Sequence, residues 1–81
     1  MQTSAQGAIA HRLLRRKQVE QALGISRSTI YARLDPKSRQ YDPEFPKPIS
    51  LSSTTTGIAW IDAEIQAYIS RRIAASRNAE V

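Results

Sequence analysis

The 81-residue chain has no cysteine, one histidine, three glycines and no apolar run longer than a few residues. Without cysteine there are no disulfides and no thiolate metal sites. His11 stands alone, so neither a histidine-based metal site nor a catalytic dyad is available. The apolar runs fall far short of the roughly 20 residues that cross a bilayer. The opening MQTSAQGAIA lacks the positive start and long apolar stretch of a secretion signal, which points to a cytoplasmic protein. No glycine-rich phosphate loop is present, and Glu20, Glu64, Asp35 and Asp42 show no paired-carboxylate context. No enzyme, cofactor or metal ion is therefore expected.

What the chain does have is positive charge. Twelve Lys and Arg against seven Asp and Glu give +5. Between residues 11 and 47 there are nine basic residues and four acidic ones. A basic surface raises affinity for polyanions and speeds encounter with them. At this length the chain forms one domain near the lower limit for an unassisted core, with surface to offer a partner and little room for a deep pocket.

Residues 1–10 carry little periodicity and read as a frayed arm. Arg12-Leu13-Leu14 reads as a very short strand or as the lead-in to a helix. From Arg15 the pattern is helical, with Val19, Ala22 and Leu23 on one stripe that Leu13 or Leu14 can extend. Gly24 ends that helix, because glycine takes the left-handed conformation without a Cβ penalty. Ile25 turns back to the core, and Ser26 caps a second helix running to about Leu34 with Ile30 and Leu34 buried. Pro36 stops it. Two helices of about nine residues around a glycine turn have the spacing of a helix-turn-helix.

Residues 35–48 hold all four prolines and form a stiff loop, with Tyr41 and Phe45 as its expected anchors. Ile49 and Leu51 alternate with serines as a half-buried strand does, residues 52–57 (SSTTTG) supply a turn, and Ile58-Ala59-Trp60 is the return strand. Trp60 is expected beneath this wing as a core anchor. Asp62 and Glu64 suit a helix N-terminus. Ile61, Ile65, Tyr68 or Ile69, and Ile73 carry that helix to about Ser76, with Arg71, Arg72 and Arg77 near its end. The fold expected is mainly α with a small β-hairpin, a winged helix-turn-helix over residues 11–76 with a flexible tail at 77–81.

In such a motif the second helix enters the DNA major groove with its N-terminal residues nearest the base edges. On a wheel of about 100° per residue, Ser28 and Ala32 lie nearly opposite Ile30 and Leu34, with Thr29 and Tyr31 on the flanks. Arg27 can swing past the helix end and donate two parallel bonds to a guanine, and Ser28 can pair with several base edges. Thr29 and Tyr31 offer hydroxyls to phosphate, and Arg33 a charge. Arg15, Arg16 and Lys17 crowd the first helix's N-terminus, where cations are unfavourable unless an anion such as a DNA phosphate joins them. Lys47 is the remaining candidate contact.

The stretches RLLRRKQVEQALGISRSTIYARL, FPKPISL and AWIDAEIQAYI, in that order, resemble the AlpA family of prophage regulatory proteins. The resemblance covers about Arg12 to Ile73. It implies a winged helix-turn-helix related to phage excisionases and the MerR DNA-binding domain. It also implies regulation of a prophage or integrated element through double-stranded DNA. It points to Arg27, Ser28 and Tyr31 in the recognition helix and supports Arg15 and Arg16. Many relatives carry basic residues at the wing tip, where this chain has only serines, threonines and Gly57 between residues 52 and 57. Two alternative functions remain at this level: an excisionase-type factor that bends DNA for a recombinase, and a protein-interaction adaptor that does not bind DNA. Candidate partners beyond DNA are a second copy or a cooperative array on DNA, a recombinase and RNA polymerase. The terminal helix is the place where self-association is expected.

Overall fold

The computed structural model describes residues 11–53 and 57–79. The expected N-terminal arm and the tip of the wing at Thr54–Thr56 lie outside the described residues. Six elements follow one another: β1 (Leu13–Leu14), α1 (Arg16–Leu23), α2 (Arg27–Leu34), β2 (Ile49–Ser50), β3 (Ile58–Ile61) and α3 (Asp62–Ala79).

The helix-turn-helix forms for local reasons. Gly24 takes φ +68° and its N–H donates to the Glu20 carbonyl at 2.8 Å, closing α1. Ser26 is extended, and its side-chain oxygen accepts from the Thr29 N–H at 3.2 Å, opening α2. Asp35 leaves helical geometry before Pro36, and its carboxylate accepts from the Lys37 N–H at 2.9 Å. Asp42 repeats the device, accepting from the Glu44 N–H at 2.9 Å, while the Asp42 N–H donates to the Arg33 carbonyl at 2.9 Å and ties the loop back to α2.

Of the two possibilities for residues 12–14, the strand forms. β3 lies between two antiparallel neighbours in the order β1-β3-β2. Leu13 faces Ile61 and Leu14 faces Trp60, while Ile49 faces Ala59 and Ser50 faces Ile58. The Asp62 N–H donates to the Arg12 carbonyl at 2.7 Å, and the Leu51 N–H to the Gly57 carbonyl at 2.7 Å. The wing is thus a hairpin whose inner strand is also bonded to the residues leading into α1.

The core is one cluster of Leu14, Val19, Ile30, Phe45, Trp60, Ile65 and Tyr68. Full burial of each aliphatic side chain contributes roughly 1.5–3 kcal/mol. Trp60 is wholly buried and its indole N–H donates to the Pro46 carbonyl at 3.0 Å, so it anchors the core as expected. Phe45 packs edge-on against Tyr68, with centroids 5.1 Å apart.

Four expectations are corrected. Tyr41 is exposed, so Phe45 alone anchors the loop among its aromatics. Ile49 and Leu51 are exposed and the strand stops at Ser50, because β2 lies at the sheet edge with no element among the described residues covering it. Ile73 is exposed as well. The terminal helix continues to Ala79, so residues 77–79, assigned above to the tail, are helical.

A three-residue network ties loop, α2 and α3 together. The Tyr68 hydroxyl donates to the Asp42 carboxylate at 2.7 Å, and the Arg33 guanidinium donates to the Tyr68 hydroxyl at 3.2 Å. Burial by itself raises the Asp42 carboxyl. The Tyr68 bond, the Glu44 amide and the charges of Arg33 and Arg72 outweigh it, leaving the group below its ordinary value. Burial, followed by the bond to Asp42, holds the Tyr68 hydroxyl above its ordinary value, so it remains a donor at neutral pH.

Two outcomes follow from this packing. A Cβ at residue 24 would meet no neighbouring atom, so Gly24→Ala should cost only the left-handed backbone strain, roughly 1–2 kcal/mol in chemical denaturation. Because the folded Asp42 carboxyl is lowered, its contribution is complete above the ordinary aspartate range and is lost as pH falls through the folded value. Tyr68→Phe should return Asp42 toward its ordinary value in an NMR carboxyl titration. Asp42→Asn should reduce the loss of Tm on acidification.

Candidate nucleic-acid interface

α2 divides its side chains between two sides. Ile30 is wholly buried and Leu34 packs half-buried against the core. Arg27, Ser28 and Tyr31 are exposed, and the Arg27 guanidinium carbon lies 5.9 Å from the centre of the Tyr31 ring. One helical turn separates the two residues, which lets the ring face hold the cation in place.

Tyr31 does not stand alone. It lines a concavity of about 330 Å³ with Arg15, Arg16, Lys17 and Ile58. The start of α1, the exposed side of α2 and the inner strand of the wing therefore meet at one place. Arg15 is the extended residue before α1, and its N–H donates to the Gln18 side chain at 2.8 Å. Arg16 pairs with Glu20 one turn on. No acidic residue occupies the first turn of α1, so three cations sit at the positive end of its dipole. With Arg27 the face carries four cations, partly offset by Glu20. An anion with several acceptor oxygens would relieve both the crowding of charge and the open helix end.

Three expected contacts lie apart from this convergence. Arg33 is turned to the other side of α2, where it donates to Tyr68. The Thr29 hydroxyl lies 3.0 Å from that of Ser26, so it reinforces the cap. Lys47 is exposed in the chain leading into β2, next to the Pro46 carbonyl that Trp60 holds.

The sequence reading missed two participants. Gln18 stands three residues after Arg15, the spacing at which a side chain reaches back to a helix start, and was legible. Ile58 was not, because its place beside Tyr31 depends on how the wing packs. Among the described residues, no group of three or more His, Cys, Asp or Glu could hold a metal, and no helix is long and apolar enough to cross a membrane.

A helix-turn-helix braced by a wing, with the cations of one helix converging on the exposed side of the next, defines a winged helix-turn-helix module. A family model described as "Prophage CP4-57 regulatory protein (AlpA)" matches residues 12–73. The chain is also 46% identical over 63 residues to the "DNA-binding transcriptional activator AlpA" of Escherichia coli (strain K12), covering 78% of this chain and 87% of that protein. No solved structure matches it. The chain belongs to the AlpA family of prophage regulatory proteins.

Proposed function

We propose that the chain is a sequence-specific, double-stranded-DNA-binding transcriptional regulator of a prophage or integrated element, with α2 in the major groove. The observation that carries this reading is the convergence of Arg15, Arg16, Lys17 and Tyr31 in one concavity, with Arg27 stacked beside it. The relative named a DNA-binding transcriptional activator supports the same reading. The activity is binding, and no step of it calls for catalysis.

In this reading Arg27 and Ser28 face base edges. Arg27 can give guanine a two-bond contact, and the Tyr31 ring limits the conformations it must give up to do so. Arg15 and Lys17 hold phosphates, with the Tyr31 hydroxyl as a further donor. Arg16 contributes charge while its geometry is set by Glu20. Lys47 provides an outlying phosphate contact at the base of the wing. Thr29 and Arg33 serve the fold.

Selection of bound sequences from a random duplex pool at two salt concentrations tests DNA binding and sequence preference together. Enrichment of a defined site, with affinity falling steeply as salt rises, is expected; no enrichment at either salt would overturn the reading. On the selected site Arg27→Ala should lose roughly 1–3 kcal/mol and relax the preference at one position. Arg33→Ala should lower stability and leave that preference intact. Glu20→Gln removes the carboxylate from the basic face and frees Arg16, so duplex affinity should rise, most visibly at low salt.

A further inference from the structure

A second concavity, of about 460 Å³, opens where α3 passes the end of α1 and the turn that follows it. Its floor is Leu23, Ile25, Ile69 and Ile73. Arg33, Arg72 and Arg77 rim it, and no acidic residue lines it among the described residues. It lies on the other side of α2 from the basic face, since Tyr31 and Arg33 are two positions apart, about 200° around the helix. We propose that this groove docks an acidic amphipathic helical segment of a protein partner.

Three observations support that occupant. First, the last side chains of α3 packed on the core are Tyr68 and Ile69, and its last side-chain hydrogen bond or ion pair among the described residues joins Arg71 to Glu44, yet it continues as a helix to Ala79 with residues 70–79 exposed. A terminal stretch of this length is marginal by itself, and a partner along Ile69, Ile73 and Arg77 would stabilise it. That stripe spans nine residues, about 12 Å, and matches two to three turns of a partner helix with apolar residues at i, i+3 or i+4, and i+7.

Second, charge selects the partner's sign. Arg77 has no hydrogen-bond or ion-pair partner among the described residues, and Arg72 acts only through space on Asp42 and Tyr68. Carboxylates flanking an apolar stripe would pair with these exposed guanidinium groups at the rim as the stripe covers the floor. A second copy of the chain fits poorly, because a two-fold pairing of the groove with itself would set Arg72 and Arg77 against their own counterparts.

Third, the floor is wrong for nucleic acid. Phosphates would satisfy the arginines but would leave four aliphatic side chains facing a charged, hydrated backbone. An amphipathic helix satisfies both parts of the groove at once.

The test is an NMR titration of the full, uniformly labelled chain with two synthetic 16-residue helical peptides sharing one leucine stripe, one flanked by glutamates and the other by lysines. The glutamate peptide is expected to shift amides around residues 22–25 and 69–77 and leave Arg27–Tyr31 unmoved, with affinity falling as salt rises. The lysine peptide is expected to bind roughly tenfold more weakly or not at all. Ile73→Ser and Arg77→Glu, both at exposed positions, should each weaken the glutamate peptide by about tenfold while affinity for a DNA duplex stays unchanged. The proposal is overturned if neither peptide shifts the groove, or if both bind equally well. It is also overturned if the groove amides respond to duplex DNA, or to the chain's own concentration.

Discussion

Trp60 holds together parts of the chain that have no local reason to meet. Its backbone lies in the middle strand, opposite Leu14 on one side of the sheet, while the residue before it, Ala59, faces Ile49 on the other. Its indole is wholly buried and its N–H reaches the Pro46 carbonyl. The residues before α1, the end of the proline-rich loop and the wing thereby meet at Trp60 and the strand that carries it. Loss of that anchor would leave a buried carbonyl unpaired and a two-residue strand at each edge with little else to hold it. The concavity around Tyr31 depends on this arrangement, because it takes Ile58 from the same strand that carries Trp60.

The arginines of α2 show how such a small protein separates binding from stability. Arg27 and Arg33 stand six residues apart on one short helix and have opposite fates. Arg27 rests against Tyr31 on the open side. Arg33 bonds Tyr68, which in turn donates to Asp42. The second arrangement brings a cation, a hydroxyl and a carboxylate into one network at the meeting of loop and helices. It fixes the angle between α2 and α3 without placing an unpaired charge in the core.

α3 has a divided character of its own. Its first half carries Ile65 and Tyr68 into the core, and its acidic start at Asp62 and Glu64 suits the helix dipole. Its second half is exposed, held to the loop by the bond from Arg71 to the Glu44 carbonyl and bordering the groove beside the end of α1. The sequence pattern extended the apolar stripe to Ile73 because periodicity records which residues share a helix face. It does not record where the rest of the domain ends.

Much of the local architecture was legible from residues alone. Gly24, Ser26 and Pro36 set the ends of α1 and α2 because capping and proline geometry act within a few residues. Ile30 and Leu34 on one side of α2 left Ser28 opposite and Tyr31 on a flank by helical period, while Arg27, at the first turn, is free because its long side chain reaches past the helix end. The order of elements and the family resemblance were present in the chain for the same reason. Pairings between distant residues were decided by the tertiary structure. The strand at Leu13–Leu14 exists only because Trp60 and Ile61 lie beside it. Arg33 is held back because Tyr68, 35 residues away, offers it an acceptor. Tyr41 is left outside because Phe45 fills the space beneath the loop. Helix starts and stops depend on near neighbours, and the sequence determines them directly. Which cation stays available to a partner depends on contacts across the chain, and only folding decides that.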